Sequence, residues 1–217
     1  MSDAVASAPP LAERDRWSIV QRYREYDGEL SANVLRVVGV FAFYTIELAN
    51  FHGVSLGPLE LPRVAGVDQR FHFAITALAV AWLAIACGVL LLLRNRVFPP
   101  ALKFVTSSAD VLLLTAMLLI ADGPRSTLTI GYFLVVALAV LRFSRPLVAF
   151  TTAGAMLGYV VIVVHAHVAR PALALMTYQE VMTLLGLALV GVVLSRAVAQ
   201  AEGAASHLAA FTAKERE

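Results

Sequence analysis

Cysteine is nearly absent: the 217 residues hold one, Cys87. A single cysteine excludes an intrachain disulfide and any site built on paired thiolates. It lies inside the apolar run AWLAIACGVLLLL, so it reads as a small buried hydrophobe rather than a redox group. Charge is scarce as well. Asp, Glu, Lys and Arg make up 15% of the chain and hydrophobic residues 59%, whereas a soluble domain carries about 25% charged residues. There is no Walker loop, nucleophile elbow, HExxH segment or pair of cysteines. The short loops leave no room for an active site, so the chain is not expected to be an enzyme. MSDAVASAPPLAERDR lacks the basic-then-apolar order of a signal peptide, and the first span is expected to act as its own insertion signal. The formal charge of +2 carries no nucleic-acid signature, and no such partner is expected.

Apolar runs are what the chain has in quantity. Crossing ~30 Å of hydrocarbon takes ~20 apolar residues, and windows of ~19 residues predict spans at 33–51, 71–93, 101–121, 127–143, 147–167 and 178–198. NRVFPPALK, DGPRST and FSRP between them permit only tight hairpins, so neighbouring spans run antiparallel. GVSLGPLELPRVAGVDQR and ARPALALMTYQE are the longer links. Arg14, Arg16, Arg22, Arg24, Arg36, Arg94, Arg96, Lys103, Arg142, Arg145, Arg196, Lys214 and Arg216 fall on one side, against Arg63, Arg70, Arg125 and Arg170 on the other. The positive-inside rule then places both termini in the cytoplasm. The expected fold is all-α, a polytopic six-transmembrane-helix bundle. Residues 1–32 form a cytoplasmic segment whose Trp17, Val20 and Tyr23 mark a short helix on the membrane surface. Residues 33–198 form the membrane domain, and 199–217 an exit helix aimed at a cytoplasmic output domain or docking partner.

Ionisable groups at membrane depth are the default places to look for function. Most gather toward one rim: Glu47 and His52 at the outer end of the first span, His72 opening the second, Asp122 closing the third, His165 and His167 closing the fifth, and Glu180 opening the sixth. Glu47 lies about a turn inside its apolar run and needs a partner or a wet cavity; Arg70, His72 and His165 are candidates. Mixed histidine and carboxylate donors suit Zn, Mn or Fe, and histidine alone also suits Cu. His72, His165, His167 and Glu47 are the candidate metal ligands. His165 and His167 stand ~200° apart on a helix and would share an ion only if the helix frays before Pro171. Haem held by two of the histidines is a lesser alternative. Asp110 follows Thr106, Ser107 and Ser108 on a hydrophilic face of the third span. It is expected to form a structural ion pair with Arg36, with a proton relay as the alternative. Gly154–Gly158 is a GxxxG, and Ala84–Gly88 a small-xxx-small step, each an internal contact or a dimer seam.

Six spans with termini inside, a basic lead-in helix, a helical exit and the stretch VALAVLRFSRPLVAFTTAGAMLGYVVIV resemble the membrane anchor of bacterial class III adenylate cyclases. Similar six-span inputs precede histidine kinases and diguanylate cyclases. The resemblance covers about residues 33–200 and rests on hydropathy, loop lengths and the LRFSRP…GY run. It implies a homodimer in the bacterial inner membrane whose bundle regulates a cytoplasmic catalytic domain through a connecting helix. It also implies an outer receptor-like cavity for a cation or small ligand. The expected function is a membrane sensor that binds ligand or metal at an outer-face pocket and signals through its last helix. A haem or metal redox or proton-coupled transport protein, and a passive dimerising anchor, are the alternatives.

Overall fold

The computed structural model of the chain describes residues 11–52, 54–56, 59–61, 69–95 and 99–214, with side chains described in 26–49, 51–52, 69–95 and 99–204. Among the described residues six α-helices follow one another: α1 (Leu11–His52), α2 (Gln69–Arg94), α3 (Leu102–Ile120), α4 (Ile130–Val140), α5 (Arg145–Ala169) and α6 (Thr177–Lys214). A small antiparallel hairpin of β1 (Val54–Leu56) and β2 (Leu59–Leu61) joins α1 to α2. Five helices, all except α4, are long and apolar enough to cross a membrane. The end of the bundle carrying the hairpin is called the hairpin end below. The opposite end, where α3 and α5 begin, is the arginine end.

The fourth predicted span departs from the expected six of similar length. Its helix has 11 residues, ~17 Å at 1.5 Å per residue. The chain nonetheless returns over the whole height of α3, because Arg142 just past α4 donates to the carbonyl of Lys103 in the first turn of α3 (3.3 Å). Two 3-10 turns, Gly123–Arg125 and Thr127–Thr129, make up the difference. Ser126 caps the second by accepting from the Leu128 N–H.

A second departure concerns α1. The expected surface helix and the first span are one unbroken helix of 42 residues, and Gly28 does not interrupt it. The side chains of Trp17, Val20 and Tyr23 lie outside the described set. α6 is likewise unbroken through Gly203 to Lys214.

The core sits among α3, α4, α5 and α6, where Tyr132, Val136, Leu147, Ala155, Ile162 and Leu187 are fully buried. Gly158 lets α5 close on its neighbours: a Cβ there would stand 2.6 Å from Thr115 Oγ1 and 2.8 Å from the Tyr132 hydroxyl. Gly154, one turn earlier, would reach only Val111. The GxxxG is therefore an internal contact with α3 and α4. The Ala84–Gly88 step packs nothing at Gly88, and Cys87 beside it is exposed, not buried as its apolar run suggests. The reason is helical phase: Ala86 and Val89 take the inward face of α2.

Candidate functional site

α1 and α4 cross at the arginine end. A Cβ on Gly28 would run into the carbonyl oxygen of Leu141, so only glycine permits this backbone approach. Three turns on, Gly39 has open space where a side chain would point. The two helices therefore diverge toward the hairpin end, and a cavity of about 880 Å³ fills the gap. Residues of α1, α2, α3 and α4 line it, together with those of the turn from Ala121 to Leu128. Its side opening is flanked by Leu35, Val38 and Ile46 of α1 and Leu134 of α4, which all line the cavity and are exposed.

Most of the lining is apolar, with polar groups at two levels. Deep in the cavity, the Arg36 guanidinium holds the Asp110 carboxylate at two points: Nε to Oδ1 at 2.7 Å and Nη2 to Oδ2 at 2.9 Å. Trp82 Nε1 also donates to Oδ1 (2.7 Å), and Arg36 Nη1 donates to Asn33 Oδ1 (2.6 Å). Asn33 in turn donates to the Ala86 carbonyl of α2. The ion pair expected between Arg36 and Asp110 is thus present, and it is tied to α2 by Trp82 and Asn33, which sequence reasoning omits. A guanidinium has five N–H donors; three are used on Arg36, one from each nitrogen, so each terminal nitrogen retains a second N–H.

At the other level, Glu47, Asp122 and Arg125 line the cavity near the hairpin end. Glu47 Oε1 is 3.1 Å from His72 Nδ1, whereas Glu47 Oε2 is buried without a hydrogen-bond partner. His72 stacks on Phe51 with ring centroids 4.2 Å apart, and the His52 ring meets it edge-on at 6.4 Å. Of the three candidate partners for Glu47, the structure selects His72.

The remaining predicted residues do not join this cluster. His167 Nε2 lies 2.9 Å from Glu180 Oε1, a separate pair bridging α5 and α6. His165 is exposed. Asp122 is exposed at the cavity mouth, and Arg125 donates to the Ala174 carbonyl. The expected single hollow at the rim is therefore two pairs plus scattered groups, because α6 covers the far side of α5 from the cavity. Among the described residues no three His, Cys, Asp or Glu side chains come together in a way that could hold a metal ion.

Sequence reasoning counts Arg142 only among the basic residues of one side, at the end of the span predicted at 127–143, and places Glu29 ahead of the first span. Both are buried. Arg142 Nε stands 2.8 Å from Glu29 Oε2, and Nη2 donates to Glu29 Oε1 (2.8 Å) and Thr106 (3.0 Å). Nη1 donates to Ser107 (2.6 Å) and the Lys103 carbonyl (3.3 Å). Both terminal nitrogens thus have acceptors, whereas Nε and Glu29 Oε2 face each other as an ion pair without hydrogen-bond geometry; one side chain ties α1, α3 and the turn after α4. Phe143 beside it adopts φ +45°, a strained backbone for a bulky residue, in the turn that directs Arg142 inward.

Against known protein families, curated proteins and solved structures, the chain shows no match.

Proposed function

We propose that this chain is a membrane-embedded sensor domain. A predominantly apolar ligand enters from the bilayer through the opening between α1 and α4. It pushes α1 outward at the hairpin end, while the Gly28 crossing and the Arg142 contacts hold α1 at the arginine end. α4 forms the cavity wall and also packs on α6: a Cβ on Gly186 of α6 would lie 3.6 Å from the Phe133 ring. Displacement of α4 is passed to α6 and along it to an output domain in the cytoplasm. This reading places both termini inside, following the basic-residue bias.

The observation that carries this reading is the 880 Å³ cavity, apolar at its side opening and polar at its base. A binding site of this kind combines an apolar wall with a few convergent polar groups. Ligand shifts the helix arrangement only by binding one arrangement more tightly, and a tenfold shift needs ~1.4 kcal/mol. Gly39→Phe tests it, since the new ring fills the cavity without backbone clash. In a fusion carrying a nucleotide cyclase behind Glu217, reconstituted in vesicles, medium-chain lipids are expected to change cyclase output for the wild-type chain and not for Gly39→Phe. Equal responses from both would contradict the reading.

A further inference from the structure

Arg36 and Glu47 are 11 residues apart on α1, close to three full turns, so both lie on one helix face. Val40 and Tyr44 fall on the same stripe, and all four line the cavity. The spacing along the helix axis is ~16 Å at 1.5 Å per residue. At one end of this stripe stands the Arg36 guanidinium, whose two terminal nitrogens each make one hydrogen bond and carry a second N–H. At the other end stands Glu47 Oε2, buried and without a donor. Between them the lining is apolar. Buried polar atoms are ordinarily paired, so the unpartnered Glu47 oxygen at one end and the spare donor capacity of Arg36 at the other mark what an occupant would supply.

Resting on the cavity reading above, we infer that the ligand is a two-headed chain molecule. It presents an acceptor oxygen, such as an ester or amide carbonyl, to Arg36. It presents a hydrogen-bond donor, a hydroxyl or amine, to Glu47. An apolar chain about as long as dodecane joins the two heads. Asp110 already neutralises Arg36, so a neutral carbonyl suits that end better than a second carboxylate, which would face Asp110 at close range. At the Glu47 end the acceptor is carboxylate oxygen, so a donor head is selected and an ester or ether head is not.

Three probes separate the possibilities: methyl dodecanoate, the same ester bearing a terminal hydroxyl, and dodecanol. Binding is read from the emission of Trp82, which shares Asp110 with Arg36, in a Trp17→Phe chain reconstituted in nanodiscs. The hydroxylated ester is expected to bind about tenfold more tightly than methyl dodecanoate, the gain of one hydrogen bond to a charged acceptor. Dodecanol, with one head, is expected to bind no better than methyl dodecanoate. Glu47→Leu should abolish the advantage of the hydroxyl and leave methyl dodecanoate unchanged; Glu47→Gln provides a shape-conserving variant and should shrink the advantage. If both esters shift the emission with equal affinity in the wild-type chain, the two-headed inference fails while the cavity reading survives. If none of the probes changes Trp82 emission, the cavity reading itself fails.

Discussion

The two ends of the bundle handle buried charge in opposite ways. At the arginine end, Glu29 and Arg142 are sealed from the surface as a close ion pair, with both terminal guanidinium nitrogens donating to oxygens of α1 and α3. At the hairpin end, His72 pairs with Glu47 and His167 with Glu180, yet the His167 side chain is half exposed and one Glu47 oxygen has no partner. Three segments of chain converge on one side chain at the first end, whereas two helices part around a cavity at the second. A charge removed from water is tolerable when its counter-ion is buried beside it, and a pair closed off from the surface gives a ligand no access. Fixed geometry therefore belongs to the arginine end, and the proposed binding to the open one.

The largest effects are expected from breaking the sealed pair. Arg142→Met or Glu29→Leu alone leaves a buried charge without its counter-ion and should cost about 3–5 kcal/mol, read as a fall in unfolding midpoint in detergent. The double variant should regain most of that loss. Equal destabilisation by the single and double variants would show that packing, not charge, holds this end. Next in size is the helix crossing. Gly28→Leu should cost about 1–3 kcal/mol by forcing α1 from Leu141, whereas Gly39→Leu, facing the cavity, should leave the midpoint nearly unchanged. Smaller again is the His167–Glu180 pair: Glu180→Gln should cost no more than about 1 kcal/mol, since its partner is half exposed. His165→Ala should lie within about 0.5 kcal/mol of wild type.

How far these ends are legible in the sequence depends on what each residue's meaning requires. The helical runs follow from hydropathy. Arg36 and Asp110 are legible as a pair because both interrupt apolar segments at matching depth from the same side. Thr106 and Ser107 are visible as a hydrophilic face, but their partner Arg142 hides at the end of the span predicted at 127–143, where it reads as one more basic residue of that side. Only the inward turn at Phe143 brings that guanidinium back over α3. The length of α4 misleads because 3-10 turns carry part of the crossing in residues that hydropathy assigns to a span. The histidines look like one cluster because sequence gives their height and not their azimuth; α5 and α6 take His167 and Glu180 away from Glu47 and His72. The cavity itself follows from one backbone contact, Gly28 on Leu141, which no composition window registers.

The most direct measurement compares two spin-label distances across the bundle in a chain carrying Cys87→Ala. One pair, at Leu48 and Ile130, spans α1 and α4 at the hairpin end, and the other, at Asp27 and Pro146, reports the arginine end. Adding the hydroxylated dodecanoate ester should lengthen the first distance and leave the second unchanged. An unmoved first pair, or both pairs shifting together, would contradict a bundle held at one end and opened by ligand at the other.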